Sequence, residues 1–203
     1  MRTTGNFALG VVLWLLIGLQ PVAAGPREDV AAAVAAIDEK DFGRALGLLM
    51  PLAKSGNVFA QGFLGALYLE GSGVERDYGQ AAYWYRKAAE QGNAAAQFEL
   101  GALYDKGMGV SQNQSEAAKW FLRSAEAGIA QAQYNMGQMY ATGEGVPQNW
   151  IFSHMWFTLA AANRQPKALS MRELAARNLT QAQVSISDRM VRERLRAIIN
   201  HPQ

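Results

Sequence analysis

Apolar residues along this chain recur at helical spacing within a longer repeat of 36 residues. In one stretch, Ala60, Leu64, Leu67 and Tyr68 fall at positions i, i+4, i+7 and i+8, so they share one face of a helix. Recurrence at a fixed period of this length is the signature of a helical repeat array. Seven columns recur at this period: Gly65, Gly101 and Gly137; Leu64, Leu100 and Met136; Tyr68, Tyr104 and Tyr140; Gly71, Gly107 and Gly143; Gly73, Gly109 and Gly145; Val74, Val110 and Val146; Trp84, Trp120 and Trp156.

Each repeat is predicted to consist of two helices joined by a glycine loop. In the first repeat, Gly71 and Gly73 follow the leading helix, and glycine is the usual residue at a left-handed helix end. Asp77 then stands at the predicted N-cap of a second helix, with Gln80 three residues later, as a capping box requires. The corresponding N-caps of the next repeats are Asn113 and Asn149. The first of these second helices has an apolar stripe made of Ala81, Trp84, Tyr85 and Ala88.

Three of the recurring glycines lie inside the leading helices, where glycine costs roughly 1 kcal/mol relative to alanine. A close approach of the partner helix would explain this cost. We therefore expect Gly65, Gly101 and Gly137 to lie against Trp84, Trp120 and Trp156, with all three indole rings in the core.

Both ends of the array are expected to be irregular, as terminal repeats usually are. A degenerate first unit is predicted with helices over 27–39 and 42–54, and in the third repeat Arg164 replaces the expected glycine. Thr180, with Gln183 at N3, is predicted to cap a last helix. The predicted segments are a signal peptide (1–24), an N-terminal cap (25–59), three repeats (60–95, 96–131 and 132–165) and C-terminal capping helices (166–203). The capping helices are identified by Met171, Leu174 and Ala175, and by an apolar face of Ile186, Met190, Leu195 and Ile199.

The repeat resembles the Sel-1-like repeat, a relative of the tetratricopeptide repeat. The resemblance lies in the Leu-Gly pair, the tyrosine, the Gly-x-Gly-Val loop, the Asp or Asn, and the Ala-x-x-Trp helix. It implies an all-α fold, a right-handed α/α superhelical solenoid of helix pairs, and an adaptor that holds a partner protein on its curved surface. A cysteine-rich branch of that family is linked to penicillin binding and β-lactamase-like activity, and this chain contains no cysteine.

The N-terminal residues predict where the protein is located, and the absence of cysteine excludes several kinds of site. The first 24 residues combine Arg2, an apolar run over 7–19 and a small-residue exit at Ala23 and Ala24, which predicts a cleavable export signal. We therefore expect a periplasmic or secreted protein with no stable membrane span after cleavage. Without cysteine there is no disulfide, thiolate metal site or catalytic thiol.

Charge is unevenly distributed along the chain. Residues 25–163 carry 10 Lys and Arg against 14 Asp and Glu, a net −4, whereas residues 164–203 carry 8 against 3, a net +5. The basic residues Arg189, Arg192, Arg194 and Arg196 are interpreted as the solvated face of a capping helix. Nucleic acid is not expected as a partner.

No arrangement of residues in the sequence predicts catalysis, a cofactor or a metal. A penicillin-recognising serine enzyme would need Ser-x-x-Lys, but Ser115 and Lys119 are one residue too far apart. Only His154 and His201 could supply imidazole ligands, and they lie far apart in the sequence. The protein is predicted to be a non-enzymatic protein-interaction module. The alternative is a cell-wall or β-lactam hydrolase or a penicillin-binding protein, by analogy with the cysteine-rich branch.

A partner is expected to bind residues that lie between the core positions of the leading helices, which are free to vary between repeats. For two of these residues, Phe98 and Tyr134, two interpretations remain open: they contact a partner, or they flank the core. The candidate partner-binding residues are Phe63, Glu70, Phe98, Glu99, Lys106, Tyr134, Asn135 and Gln138.

Overall fold

The computed structural model describes residues 27–200 of the chain, and within that range every regular element is an α-helix. The predicted signal segment, residues 1–24, lies outside the described residues. The all-helical class is therefore confirmed. The helices are α1 (Arg27–Asp38), α2 (Phe42–Lys54), α3 (Val58–Glu70), α4 (Tyr78–Glu90), α5 (Ala94–Lys106), α6 (Gln114–Glu126), α7 (Ala130–Thr142), α8 (Trp150–Ala162), α9 (Ala168–Ala176) and α10 (Gln181–Asn200).

The helix ends follow from the residues that terminate them. Gly71, Gly107 and Gly143 adopt left-handed φ angles of 75°, 68° and 84° after the leading helices α3, α5 and α7, as the sequence predicts. The second helix α4 begins at Asp77, whose Oδ1 accepts hydrogen bonds from the backbone N–H groups of Gly79 (2.8 Å) and Gln80 (3.0 Å). These bonds satisfy two amides that would otherwise lack a partner at the helix start.

The leading helices start two residues earlier than the apolar pattern predicts. Asn57 and Asn93 cap α3 and α5, and their Oδ1 atoms accept from the backbone N–H groups of Ala60 (2.9 Å) and Ala96 (2.8 Å). The third leading helix has Ile129 at this position, with no side-chain cap. Periodicity alone could not locate this boundary, because the first residue of each leading helix is only partly buried and carries no clear sign of the core face.

The helices fall into two compact units, divided between Gln112 and Asn113. The first unit contains α1 to α5, and each of its helices packs against the next one along the chain. The degenerate first helix pair is present as predicted, with α2 covering 42–54 and α1 ending one residue before the predicted Glu39. Helix α4 contacts both α3 and α5, so its buried surface is wider than a single stripe.

The second unit contains α6 to α10. Helix α7 packs on α6 and α8, and α8 is also covered by α9 and α10. The predicted cap of α10 is confirmed, since Thr180 N–H donates to Gln183 Oε1 (2.8 Å) and Gln183 N–H donates to Thr180 Oγ1 (3.3 Å). Arg164 keeps the left-handed conformation of the glycine that it replaces, with φ 60°.

The glycines inside the leading helices do allow a close approach, but the predicted partner residue is wrong. A Cβ at Gly65 would lie 2.7 Å from Cδ1 of Tyr85, and a Cβ at Gly137 would lie 2.7 Å from Cδ1 of Phe157. The ring that fills the space is therefore one residue beyond Trp84 or Trp156. These tryptophans are buried, as predicted. Because two neighbouring residues of the second helix are both buried, the recurring tryptophan did not identify which one meets the glycine.

A buried glutamine recurs at the 36-residue period and supports the core in both units. The amides of Gln61 and Gln97 donate to the carbonyls of Ala53 and Ala89 at 3.0 and 3.1 Å in the first unit. In the second unit Gln133 donates to the carbonyl of Ala125 at 3.1 Å. Each bond spans eight residues, so it joins a leading helix to the end of the helix before it.

The apolar face predicted for α10 is wrong. Ile186 and Leu195 are 39% and 41% exposed, whereas Ser187 and Val191 are buried. The side chain of Ile199 lies outside the described residues. Arg194 also departs from the solvated interpretation, because its guanidinium lies 4.5 Å from the ring centre of Trp156 and 3.4 Å from Glu126 Oε1. Arg189, Arg192 and Arg196 are exposed, as predicted.

Candidate partner-binding surface

The predicted partner-binding residues all lie on leading helices, but they differ in accessibility. Phe63 is fully buried in α3, so its assignment to a binding surface is wrong. It faces the core because α3 is covered on more than one side, by α2 and by α4. Of the remaining seven, three are exposed and four are partly buried: Glu70, Lys106 and Gln138 are exposed, and Phe98, Glu99, Tyr134 and Asn135 are partly buried.

In the first unit, three charged candidates form one electrostatic cluster. Burial raises the pKa of Glu99 to about 7, an effect that Lys106 opposes and Glu70 reinforces. Burial also raises the pKa of Glu70, partly offset by a hydrogen bond of 3.4 Å from Ser72 Oγ. Among the described residues, neither carboxylate has a Lys, Arg or His nitrogen within 4.0 Å. The two acids are thus close enough to interact and lack a direct cationic partner.

Glu99 occupies a position that is apolar core in the preceding repeat. Phe63, Glu99 and Asn135 lie 36 residues apart, at equivalent positions of α3, α5 and α7. The repeat therefore accommodates a fully buried phenyl ring at this position in α3 and a partly buried carboxyl in α5. A carboxylate at such a position pays a desolvation penalty, which is the main cause of its raised pKa.

A third polar group, the hydroxyl of Tyr85, belongs to the same region of the first unit. Tyr85 is fully buried on α4, and its hydroxyl has no hydrogen-bond partner among the described residues. Burial and then the negative charges of Glu99 and Glu70 raise its pKa well above the ordinary value of 10. The sequence pattern places Tyr85 in an apolar stripe. It does not show that the hydroxyl is buried without a hydrogen-bond partner in the described part of the chain, because nothing in the repeat pattern indicates where the hydroxyl points.

In the second unit, the candidates on α7 are partly structural. The ring of Tyr134 lies 5.4 Å from that of the buried Phe157 in an edge-to-face arrangement, so Tyr134 flanks the core. Asn135 Oδ1 accepts a hydrogen bond of 3.2 Å from the amide of Gln131, one turn earlier. Gln138 is exposed, and its backbone carbonyl accepts from Thr142 Oγ1. Of the three, Gln138 is the residue best placed to contact a partner.

The described residues contain one buried pair of groups that resembles catalytic chemistry. His154 Nδ1 lies 2.8 Å from Ser187 Oγ, joining α8 to α10. Ser187 is fully buried and His154 is only 5% exposed, so a substrate has no access to this hydroxyl. Burial lowers the pKa of His154, with Asp188 raising it and Arg172 lowering it further. The pair is therefore a structural contact between two helices.

Two negative findings concern the described part of the chain, residues 27–200. No helix there is both long enough and apolar enough to cross a membrane. Within the same range, no three His, Asp or Glu side chains come together as a possible metal site.

The chain is similar to known helical repeat proteins. The Sel1 repeat profile matches residues 58–93, 94–129 and 130–164. No curated protein matches the chain. Among solved structures, a Sel1 repeat protein from Oxalobacter formigenes is 36% identical with a TM-score of 0.69, over 71% of this chain and 60% of that one. A protective antigen of uropathogenic Escherichia coli, c5321, which displays an SLR fold, is 29% identical with a TM-score of 0.67 over 78% of this chain and 34% of that one.

These similarities agree with the helix pairs, glycine loops and capped second helices described above. The chain spans 60% of the first solved relative and 34% of the second. Sel1 repeat proteins are generally protein-interaction modules with a non-catalytic helical repeat fold. Three consecutive repeats, matched over more than half of its length, show that the chain belongs to the Sel1 repeat family.

Proposed function

We propose that this protein is a non-enzymatic interaction module of the bacterial cell envelope, which binds a segment of another protein on its leading helices. The observation that carries the proposal is a contrast between columns of the repeat. The recurring core and loop columns keep one residue type or exchange similar apolar residues, as Leu64, Leu100 and Met136 do, whereas the exposed column of Glu70, Lys106 and Thr142 changes from acidic to basic to neutral. A scaffold that is constant where it packs and variable where it is exposed is typical of a repeat protein that recognises a specific partner.

The chemistry of the exposed positions suits recognition more than catalysis. In the first unit, the leading helices carry the charged residues Glu70, Glu99 and Lys106 and the partly buried aromatic residue Phe98. Aromatic and charged groups presented together on rigid helices are the usual constituents of a protein-binding surface. Gln138 provides a neutral hydrogen-bonding group in the second unit.

Localisation to the periplasm or outside the cell belongs to the same proposal and is supported by the pattern of residues 1–24. A positive charge, an apolar run and a small-residue exit are the features of a cleavable export signal. N-terminal sequencing of the protein recovered from the envelope fraction checks this. We expect the mature chain to begin at Gly25, and recovery of intact Met1 from the cytoplasm would contradict export.

Affinity capture from an envelope extract tests the binding function. The bait is the protein itself, and the test variants are Gln138→Arg on α7 and Lys106→Glu on α5. Both positions are exposed, so the variants should unfold at the same temperature as the parent. Gln80→Arg on the second helix α4 is the matched control, because Gln80 is also exposed but lies outside the leading helices.

A protein captured by the parent and by Gln80→Arg, but lost with either test variant, would support a partner site on the leading helices. Loss with the control alone, or equal capture by all four proteins, would overturn it. Tyr134→Ala is avoided as a test, because removing a ring that packs on Phe157 would reduce stability and binding together.

A further inference from the structure

Helix α10 is attached to the second unit through little apolar surface. It packs on α8, and of its described side chains, residues 181–196, only Ser187 and Val191 are buried. Val191 is therefore the only buried apolar side chain that this described part of the helix contributes. Segments with few buried apolar contacts open at a lower free energy than the rest of a domain. We therefore expect α10 to detach before the other helices of the unit unfold.

Polar and charged side chains make the other identified contacts of α10. Near the start of the helix, Ser187 Oγ lies 2.8 Å from His154 Nδ1 on α8. Further along, the Arg194 guanidinium lies 3.4 Å from Glu126 Oε1 and 4.5 Å from the ring centre of Trp156. Arginine and glutamate at a partly exposed ion pair keep their charges between about pH 5.5 and pH 7.5. Of the groups in these contacts, the imidazole of His154 is the one that titrates near neutral pH.

Helix α8 has buried apolar residues at positions that are exposed in the other second helices. Met155 and Leu159 are buried, whereas the residues at the equivalent positions of α4 and α6 are exposed. Those residues are Tyr83 and Lys87 on α4 and Lys119 and Arg123 on α6. Helix α8 packs against α10 in addition to its neighbours α7 and α9, whereas α4 packs against α3 and α5 alone among the described helices. We attribute the burial to α10, whose detachment would expose an apolar strip on α8.

The surroundings of His154 favour its neutral form. Burial is the largest effect and lowers the pKa of His154, which Arg172 on α9 lowers further and Asp188 on α10 raises. Helix α7 carries no charged side chain, and its titratable residues Tyr134 and Tyr140 pack on aromatic rings of α8. Helix α8 itself has no other ionisable side chain. A proton on this imidazole is therefore poorly tolerated while α10 covers it.

We propose that α10 is a pH-sensitive latch, docked on α8 while His154 is neutral and released when His154 gains a proton below about pH 6.5. The released state accommodates the proton because water reaches the imidazole. In the docked state the imidazole is buried against Ser187. The latch adds a conformational switch to the second unit, and it does not depend on the proposed partner-binding function.

Docking of α10 should weaken in acid and stay constant in alkali. Above about pH 6.5 the imidazole is neutral in both states, so proton binding does not affect docking. Below that pH the released state takes up a proton that the docked state excludes, and the docking constant falls by at most about tenfold per pH unit. Between about pH 7.5 and pH 5.5 we therefore expect a fall of several-fold, up to about tenfold.

Hydrogen exchange of the backbone amides measures this docking. The full chain is exchanged into D₂O at about pH 7.5 and pH 5.5 and followed by mass spectrometry of its peptides. Each rate is divided into the rate of an unfolded amide at the same pH, which gives a protection factor. Released α10 loses its tertiary support, so its amides exchange faster. Protection of α10 should fall several-fold, up to about tenfold, at the lower pH. Helix α7, in the same unit, is the reference and should keep its protection.

Two substitutions of His154 remove the titrating group. His154→Gln keeps a group that can hydrogen-bond to Ser187. His154→Ala introduces the residue found at the equivalent positions of α4 and α6, which are Ala82 and Ala118. In both variants the protection of α10 should be equal at the two pH values, whatever its absolute level. His201→Gln removes the only other histidine of the chain, so it is the matched control and should keep the parental pH dependence.

Three results would overturn the latch. Equal protection of α10 at the two pH values would show that its docking does not respond to a proton. A loss of protection shared equally by α7 would show that the unit unfolds as a whole. A pH dependence that persists in either His154 variant would assign the release to another group. A loss confined to α10 and abolished by both variants would establish the latch.

Discussion

Replacing Gly65 with alanine tests whether close helix packing explains a glycine inside a leading helix. The added Cβ would lie 2.7 to 2.8 Å from three ring atoms of Tyr85, whereas carbon atoms normally meet at about 3.5–4.0 Å. The ring would have to move by about 1 Å, and Tyr85 is fully buried. Overpacking of this kind costs about 1–3 kcal/mol, against a gain of roughly 1 kcal/mol from helix propensity. We expect a net loss of about 1 kcal/mol.

Gly47→Ala is the matched control, because Gly47 is inside α2 with no atom within 4 Å of the added Cβ. It receives the same propensity gain without the steric cost, so it should stabilise the protein by roughly 1 kcal/mol. The difference between the two variants, about 2 kcal/mol, isolates the contact with Tyr85. Urea unfolding followed by circular dichroism at 222 nm measures both. Equal stability of the two variants would refute the packing explanation.

Two further predictions concern the second unit. Burial lowers the pKa of His154, so the folded state favours the neutral ring. The unfolded state takes up a proton below about pH 6.5. The free energy of unfolding should therefore fall as the pH drops through that value. His154→Gln should flatten this dependence in urea midpoints measured at about pH 7.5 and 5.5, and an unchanged slope would exclude His154 as its source. Arg164→Gly should raise the free energy of unfolding by about 1 kcal/mol, because Arg164 has φ 60°, which costs an L-residue about 1–2 kcal/mol. A loss of stability in Arg164→Gly would show that its side chain makes a contact worth more than the backbone strain.

The helix ends could be predicted from the sequence because they depend on local chemistry. Gly71 and Gly107 end leading helices since few other residues accept a left-handed backbone, and Asp77 begins a second helix since its carboxylate caps free amides. These effects operate within three or four residues, so they are visible without knowledge of the tertiary packing. Arg164 shows the limit, because the same backbone conformation persists there without glycine.

Predictions that depended on which helices cover a surface were less successful. Phe63 was assigned to the binding surface because its spacing lies between two core positions, yet α3 is covered on more than one side. Ile186 is the opposite case: the amphipathic pattern predicts that it lies in the core, but no described helix covers its side of α10 and it is exposed. The buried glutamines could have been found, because Gln61, Gln97 and Gln133 recur at the 36-residue period. The pattern alone could not show that their amides reach a neighbouring helix.

The repeats also allow side chains at equivalent positions of α3, α5 and α7 to be compared with one another. Residues at one equivalent position occupy the same place on helices of the same type, so a change of residue type there can be compared with the change in burial. Phe63, Glu99 and Asn135 present an apolar, an acidic and an amide side chain at one such position. The raised pKa of Glu99, about 7, corresponds to roughly 3 kcal/mol of destabilisation of its ionised form relative to an ordinary glutamate. Ionisation of Glu99 therefore opposes folding, whereas the buried phenyl ring of Phe63 at the equivalent position of α3 contributes to the core.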